Sequence, residues 1–288
     1  MAKTRRYKLS TGRQIMRIAH LSDLHFGRDQ HQVADAIISQ MNQLQPDLVI
    51  ISGDLTQNAT HEEFQAARRF LDQLQQPAHV IPGNHDLSPT NLPERFLYPW
   101  RKWQHYIQPE TEPTTETEDA KILGLNTARR MGWYLDWSRG RLNEQQMQRV
   151  ENELQNTQEE KLRIVVAHHP FWLPTRSQHR KLVGSRDEAL TIFDQAGVDL
   201  VLGGHIHLAF AQTLQGVVIS HAGTTTSDRL IPGQPNSFNL IDGNRQRLTI
   251  TEWDWQKNRF EAGKTTGFLR QNGEWQHSRP VESPYQPN

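Results

Sequence analysis

Apolar positions follow two spacings that alternate along the chain up to Gly216. Short continuous apolar runs between turn residues are typical of buried strands, whereas apolar residues three and four apart are typical of amphipathic helices. The continuous runs predict strands at 17–22, 48–52, 79–82, 121–125, 163–167 and 199–202. The helical spacing predicts helices at 33–44, 60–74, 143–154 and 187–196. Strands that alternate with helices in this way predict a layered α/β fold.

The pattern changes after Gly216, where strand patterns follow one another without helices between them. Apolar runs at 217–220, 237–241 and 247–255 predict strands that extend a sheet rather than form a second domain. We predict a flexible N-terminal segment at 1–14, a single domain at 15–275 whose sheet is completed by strands within 237–255, and a polar tail at 276–288. The acidic, threonine-rich stretch at 110–119 is predicted to be a loop.

The amino-acid composition excludes several kinds of partner and of metal ligand. Lysine plus arginine and aspartate plus glutamate number 32 each, so no net field attracts nucleic acid or an anionic membrane. The chain has no cysteine, which excludes disulfides and thiolate ligands and leaves histidine, carboxylates and asparagine to bind metals. No apolar run has the length of a signal-peptide core or a membrane span, so we predict a cytoplasmic protein.

Five of the predicted strands are followed by side chains that bind metal ions. These residues are Asp23 with His25, Asp54, Asn84 with His85 and Asp86, His168 with His169, and His205 with His207. In layered α/β folds the loops beyond the carboxyl ends of strands converge, so residues distant in sequence meet at one rim. Carboxylate, imidazole and amide ligands in this number suffice for two divalent ions, and they suit Mn, Fe, Zn or Ni. Paired metal ions are a recurrent means of hydrolysing phosphate esters.

Taken in this order, the five segments resemble those of the calcineurin-like metallophosphoesterase superfamily over residues 15–229. The resemblance implies an α/β/β/α sandwich, with helices flanking mixed sheets, and two divalent ions per chain, such as Mn, Fe or Zn. One ion would be held by Asp23, His25, Asp54 and His207. The other would be held by Asp54, Asn84, His168 and His205, which makes Asp54 the bridging ligand. His85 would be the catalytic histidine that contacts the substrate phosphate and protonates the leaving oxygen.

The second of these segments distinguishes branches of the superfamily. Residues 53–57 lack the additional aspartate of the protein Ser/Thr phosphatase motif, which argues against that activity. The segments at 168–170, 222–227 and 236–238 resemble the bacterial phosphodiesterase branch, which includes cyclic-nucleotide phosphodiesterases. We therefore predict that metal-activated water hydrolyses a small phosphodiester such as a cyclic nucleotide. Three alternatives stay open: a nucleotide-sugar lipid pyrophosphatase of the UDP-diacylglucosamine type, a nuclease, which the balanced charge disfavours, and a catalytically silent scaffold.

The remaining candidate residues have a structural as well as a functional interpretation. His169 adjoins a predicted ligand and is expected to support it or contact substrate, and Asp86 either steers His85 or caps a turn. The Trp-rich stretch at 96–107 and other aromatic residues either cover a sheet edge or form a cap for a nucleobase or lipid chain. The other aromatic residues are Trp133, Tyr134, Trp137 and Trp172. Peripheral contact with a membrane and the oligomeric state stay open.

Overall fold

The computed structural model describes residues 7–8, 14–130 and 138–279. The first elements along the chain are β1 (Tyr7–Lys8), β2 (Gln14–Leu21), α1 (His31–Leu44), β3 (Leu48–Ile51), α2 (His61–Gln73), β4 (Ala78–Val80), α3 (Leu92–Leu97), α4 (Arg101–Tyr106), β5 (Thr114–Glu116) and β6 (Ala120–Leu125). They are followed by α5 (Glu144–Gln155), β7 (Leu162–Ala167), α6 (Arg186–Gln195), β8 (Leu200–Gly203), β9 (Phe210–Leu214), β10 (Val217–His221), β11 (Ser237–Asn244), β12 (Arg247–Gln256), β13 (Arg259–Gln271) and β14 (Glu274–Ser278). Each strand and helix predicted from the apolar pattern is present within a few residues of its expected position.

The strands form two mixed sheets. The first sheet has the order β14-β13-β12-β11-β2-β3-β4, with β1 also paired to β2. Its strands β2, β3 and β4 run parallel, whereas β11 to β14 pair antiparallel. The second sheet has the order β5-β6-β7-β8-β10-β9, with parallel inner strands and an antiparallel strand at each edge. The parallel strands of both sheets therefore end in loops that can converge at one edge of the molecule.

Successive residues of the inner strands pack into two different hydrophobic cores, one on each face of the sheet. Because both faces are buried, the sequence of these strands is continuously apolar. In β3, Leu48 and Ile50 belong to a core shared with the second sheet, whereas Val49 and Ile51 pack with residues of α1 and α2. A third core lies between the second sheet and helices α5 and α6. Because side chains alternate between the faces of a strand, both faces of β3 are covered. The predicted α/β/β/α layering is confirmed.

Local capping sets where two of the helices begin. At α2, the Thr60 hydroxyl accepts a hydrogen bond from the Glu63 amide at 3.2 Å, and the Glu63 carboxylate accepts one from the Thr60 amide at 3.2 Å. This reciprocal pair is the capping box predicted from the sequence. Asn143 and Gln146 form the same arrangement at the start of α5.

Five strands were not predicted, and three of them, β1, β5 and β14, lie wholly or partly in segments predicted to be flexible, loop or tail. The predicted loop at 110–119 contains β5, an edge strand that pairs with β6. The predicted tail at 276–288 begins inside β14. Trp275 of this strand is buried, and its indole N–H donates to Asp199 at 3.1 Å. Within the predicted N-terminal segment, Tyr7 and Lys8 pair with β2, and the rest of 1–13 lies outside the described residues. The other unpredicted strands, β9 and β13, pair antiparallel with β10 and β12.

The Trp-rich stretch belongs to the helical layer of the first sheet. Trp103 is fully buried and donates its indole N–H to Glu110 O at 3.0 Å, and Trp100 packs against the same core. Trp172 packs edge-on against Phe210, with ring centroids 5.0 Å apart. Trp133, Tyr134 and Trp137 lie outside the described residues. Among the described residues, no helix is long and apolar enough to cross a membrane.

Candidate metal centre

The predicted ligands come from both sheets and meet at one edge. Asp23, His25, Asp54 and Asn84 follow β2, β3 and β4 of the first sheet, whereas His168, His205 and His207 follow β7 and β8 of the second. Three groups of side chains place their donor atoms within 4.8 Å of one another: Asp23, His25 and His207; Asp54, His168 and His205; and His25, Asp54 and His85. The first two groups contain six of the seven ligands expected from the sequence.

Tight turns place these side chains directly beyond the strand ends. The backbone is left-handed at five of the predicted ligands, with φ of 53° at Asp23, 48° at His25, 54° at Asp54, 70° at His205 and 57° at His207. Left-handed backbone is uncommon outside glycine, although aspartate and histidine adopt it more readily than most residues. Gly204, between β8 and His205, approaches its neighbours so closely that an added Cβ would lie 1.8 Å from the Ser22 hydroxyl. The loops are therefore packed against each other as tightly as their backbones allow.

The first donor set converges on one carboxylate oxygen. Asp23 Oδ1 lies 3.2 Å from His207 Nε2 and 3.7 Å from His25 Nε2, and the two imidazole nitrogens are 3.2 Å apart. The other oxygen of Asp23 accepts hydrogen bonds from the Ser22 hydroxyl at 2.7 Å and the His205 amide at 2.9 Å. His207 Nδ1 lies 2.7 Å from the Arg229 carbonyl, which can only accept, so Nδ1 carries the proton. His207 Nε2 is thereby left to face Asp23 and His25.

Asp54 connects this set to the second one. Its Oδ2 lies 3.1 Å from His168 Nε2 and 3.8 Å from His25 Nε2, and its Oδ1 accepts the His85 amide at 2.8 Å. His168 Nδ1 donates to the Ser52 carbonyl at 2.8 Å, which leaves Nε2 free for a ligand. The His205 ring packs against His168, with centroids 5.2 Å apart.

Among the described residues, several buried side-chain nitrogen and oxygen atoms have no hydrogen-bond partner, and three of these atoms belong to predicted ligands. These three are Asp23 Oδ1, Asn84 Oδ1 and His168 Nε2. A buried polar atom without a partner is costly, and a bound ion is one way in which such an atom is satisfied. Carboxylate oxygen, amide oxygen and imidazole nitrogen are suitable ligands for divalent ions such as Mn, Fe or Zn. The residues therefore fit a pair of divalent metal ions.

The charge of the site also favours cations. Burial alone would raise the pKa of Asp23 and Asp54, but the neighbouring histidines, above all His207 and His168, hold the pKa of each carboxyl well below its usual range. Both carboxylates are therefore ionised at neutral pH. Burial lowers the pKa of His205 well below its usual range, so its ring is neutral and able to bind a metal.

Metal binding is expected to release protons near neutral pH. Burial disfavours the imidazolium form of His168, but the Asp54 carboxylate outweighs burial and raises the pKa of His168 to about 9. A metal at Nε2 requires the neutral ring, so metal affinity should fall about tenfold per pH unit below that pKa. Adding Mn²⁺ to metal-free protein in weak buffer near neutrality should release about one proton or more per chain. His168→Gln should release less, and equal release from both proteins would contradict this role of His168.

In the segment at 83–86, the His85 side chain lies beside the donor residues, whereas the Asp86 side chain bonds to the backbone of neighbouring loops. The His85 ring lies edge-on to His25, with centroids 4.8 Å apart, and its Nδ1 donates to the Gln57 carbonyl at 2.8 Å. Asp86 accepts hydrogen bonds from the amides of Gly83, Leu55 and Thr56 and from the Thr56 hydroxyl. Burial and the nearby Asp54 raise the pKa of Asp86 to about 7. These hydrogen bonds tie the 83–86 turn to the 54–56 loop, which is the geometry expected of the turn-capping interpretation of Asp86.

His169 has both ring nitrogens engaged. Its Nε2 donates to the Ser138 carbonyl at 2.9 Å, and its Nδ1 accepts from the Thr127 hydroxyl at 2.7 Å. Its ring packs against His205, with centroids 4.7 Å apart. This geometry supports the predicted supporting role, because neither nitrogen is available to a metal. The buried His221 is similarly occupied on one side, where Nδ1 donates to the Gly204 carbonyl at 2.9 Å.

The loop after β10 contributes contacts to the site that the sequence pattern does not indicate. The hydroxyls of Thr224 and Thr226 donate to the Asp23 and Leu24 carbonyls, each at 2.7 Å, which ties this loop to the first ligand segment. Arg229 brings a guanidinium nitrogen to within 3.1 Å of His85 Nε2. The segments at 222–227 and 236–238 carry the resemblance to the bacterial phosphodiesterase branch without a ligand pattern of their own. No local pattern indicates that Arg229 returns to the site.

Two mixed sheets that carry paired metal donors at a common edge define the architecture of a dinuclear metallohydrolase. The model of the calcineurin-like phosphoesterase family matches residues 16–209, and the chain belongs to this family. The family resemblance and the class of phosphoric ester hydrolase predicted from the sequence are thereby confirmed.

The chain is similar to known phosphodiesterases over part or most of its length. Glycerophosphodiester phosphodiesterase GpdQ of Enterobacter lignolyticus is 41% identical over 83 residues, which span 25% of this chain but only 30% of that protein. A probable cyclic nucleotide phosphodiesterase of Coxiella burnetii is 26% identical over 224 residues, 73% of this chain and 83% of that protein. A dimetal phosphatase from Danio rerio has a TM-score of 0.61 at 12% identity, covering 89% of this chain and 99% of that structure. At this low identity, the last similarity shows the fold alone.

Proposed function

We propose that this protein hydrolyses a small phosphodiester with water activated between two divalent metal ions. The position of Asp54 carries the proposal, because its Oδ2 lies 3.1 Å from His168 Nε2 and 3.8 Å from His25 Nε2. A carboxylate between two donor sets would supply a ligand to each of two cations, and paired cations can act on one phosphate group. Asp23, His25, His207 and Asp54 would hold one ion, and Asp54, Asn84, His168 and His205 the other. Mn, Fe and Zn are the ions that we propose for this donor set.

The chain's own residues position the reacting groups. When bound, the ions would bind phosphate oxygens and lower the pKa of a water molecule, which then supplies the nucleophile. The Gln57 carbonyl holds the His85 ring through Nδ1, so Nε2 faces the centre. A proton at His85 Nε2 would pass to the leaving oxygen as general-acid assistance. Asp86 would keep Asn84 and His85 in place by fixing their turn.

Two observations support a small diester as the substrate. The relatives above are named for a glycerophosphodiester and a cyclic nucleotide, both small phosphodiesters. In the stretch proposed as a cap for the lipid pyrophosphatase alternative, Trp103 is buried and Trp100 packs against the core of the first sheet, whereas Leu97 and Tyr98 are exposed. We therefore place cyclic nucleotides and small glycerophosphodiesters first among the natural substrates to be tested.

Hydrolysis of bis-p-nitrophenyl phosphate and of p-nitrophenyl phosphate tests the proposal directly. In Mn²⁺ we expect kcat/KM for the diester to exceed that for the monoester by about tenfold or more, a difference of about 1.4 kcal/mol in activation free energy. A chelator should abolish the activity. Asp23→Asn protein, purified identically, should also be inactive, which excludes a contaminating phosphatase. Preference for the monoester, or no turnover of either compound by metal-loaded protein, would overturn the proposal.

A further inference from the structure

Arg229 brings a positive charge to the candidate metal centre from the loop between β10 and β11. Its Nη1 lies 3.1 Å from His85 Nε2 and 3.3 Å from Gln57 Oε1. The same nitrogen lies 3.3 Å from His25 Nε2 and 3.4 Å from His25 Nδ1. The guanidinium is therefore in contact with one predicted metal ligand and with the proposed general acid.

These contacts leave the metal-binding nitrogen of His25 available. A nitrogen that is nearly equidistant from Nδ1 and Nε2 lies over the face of the imidazole ring rather than along either nitrogen's lone pair. His25 Nε2 still faces Asp23, Asp54 and His207. The position of Arg229 is thus compatible with a metal ion at His25. It places the guanidinium beside the space between the two donor sets.

The guanidinium also lacks the partner that an arginine in a structural ion pair would have. Within the described parts of the chain, no carboxylate forms an ion pair with Arg229, whereas the neighbouring Arg28 pairs with Asp228 at 2.9 Å. A guanidinium has five N–H donors in a planar fork that matches phosphate oxygens, and it cannot act as an acceptor. Among the residues that the structure describes, the side chains in hydrogen-bond contact with Arg229 all contact Nη1, so its other donors face none of these groups and can bind an anion.

The main chain of Arg229 is fixed to the ligand loops. Its carbonyl accepts the His207 Nδ1 proton at 2.7 Å, and its amide donates to the Ser227 hydroxyl at 3.0 Å. The preceding residues Thr224 and Thr226 are hydrogen-bonded to the Asp23 segment. The base of the side chain is therefore anchored to both ends of the first donor set. Because the backbone of Arg229 is already fixed, less conformational entropy is lost when its side chain binds an anion.

From these contacts we infer that Arg229 binds the non-bridging oxygens of the substrate phosphate. This inference rests on the proposed function and adds a residue that contacts substrate. Binding a phosphate oxygen would draw the guanidinium away from His85, whose Nε2 can only be an acceptor while Nη1 faces it. Arg229 would then hold the phosphate on the side of the centre where His25 and His85 lie.

Measuring the affinity for inorganic phosphate distinguishes phosphate binding by Arg229 from a general effect of the substitution on catalysis. Inorganic phosphate should bind metal-loaded Arg229→Ala about 10- to 100-fold more weakly than wild-type protein, as measured by isothermal titration calorimetry. The variant's kcat/KM for bis-p-nitrophenyl phosphate should fall over a similar range. Arg229→Lys should recover part of the phosphate affinity, because it restores the charge without the planar fork. Metal content and Tm should stay at wild-type values.

Arg28→Ala is the matched control, because it removes the same charge from an exposed ion pair on an adjacent loop. Its phosphate affinity should equal that of wild type. Equal losses in both alanine variants would show that the overall field is responsible and would overturn the inference. Unchanged phosphate affinity in Arg229→Ala, or loss of metal from Arg229→Ala and Arg229→Lys alike, would also overturn it. Failure of wild-type protein to hydrolyse the diester while phosphate affinity still depends on Arg229 would reject the proposed function alone.

Discussion

Asp54→Asn is expected to lower the turnover of bis-p-nitrophenyl phosphate by at least about a hundredfold and to reduce the metal content below two ions per chain. The substitution keeps the size of the side chain, and its carbonyl oxygen can still accept the His85 amide that Asp54 Oδ1 accepts at 2.8 Å. It replaces Oδ2, which lies between His168 and His25, with an amide NH₂ that cannot bind a cation. Both donor sets therefore lose their common ligand while the turn is preserved.

Asp228→Asn provides the matched control for this experiment. Asp228 undergoes the same chemical change in an exposed ion pair with Arg28 and contributes no atom to the donor sets. It should retain wild-type turnover and two ions, as measured by inductively coupled plasma mass spectrometry. His169→Gln should have a smaller effect than Asp54→Asn, because both His169 nitrogens bond to protein groups. Near-native turnover of Asp54→Asn with both ions bound would reject the bridging role.

Removing the metal ions is expected to lower Tm by about 10–20 °C. Each ion present at a hundredfold excess over its Kd stabilises the native state by about 2.7 kcal/mol, so two ions give about 5 kcal/mol. For a domain of this size, each 1 kcal/mol shifts Tm by about 2–4 °C. The predicted ligands lie on loops of both sheets, so the ions would connect the two sheets. Their loss also leaves the buried Asn84 Oδ1 without a partner.

Differential scanning calorimetry with and without chelator measures this effect. The chelator-induced shift should be smaller in Asp54→Asn, because this variant has less bound metal to lose. Adding Mn²⁺ back to chelated wild-type protein should restore Tm, which separates metal loss from damage by the chelator. Equal Tm values for metal-loaded and chelated wild-type protein would show that the donor sets do not bind metal in the native state.

Most of the fold could be predicted because its inner strands and helices carry strong local patterns. The four residues of β3 are all buried and all apolar, and α2 begins at a capping box whose two hydrogen bonds are formed. The strands that escaped prediction have weaker patterns. In β13, several residues between Glu261 and Thr266 are exposed or half-buried, so no apolar run marks the strand. The position of β13 depends on backbone pairing with β12. The neighbouring strand therefore specifies β13 more than the sequence of β13 does.

The candidate site could be predicted to the level of its donor residues, since each donor directly follows a strand and the topology brings strand ends together. The supporting contacts could not be predicted in this way. Asp86 accepts hydrogen bonds from a loop about 30 residues away in sequence, a partner that its own segment does not indicate. Arg229 reaches His25 across 204 residues of sequence, a contact that depends on the placement of β11 beside β2. Contacts of this kind arise from tertiary structure and leave no periodic signal.

The left-handed turns at the predicted ligands bear on how such a centre could be lost in evolution. At Asp23, His25, Asp54, His205 and His207 the side chain is suited to coordination while the backbone is suited to glycine. Selection for metal binding keeps the costlier residue at each turn. Once that selection ends, substitution by glycine relieves backbone strain of about 1 kcal/mol per position, which offsets part of the contacts that are lost. Glycine at these turns in a descendant sequence would therefore record the loss of catalysis while the fold itself persists.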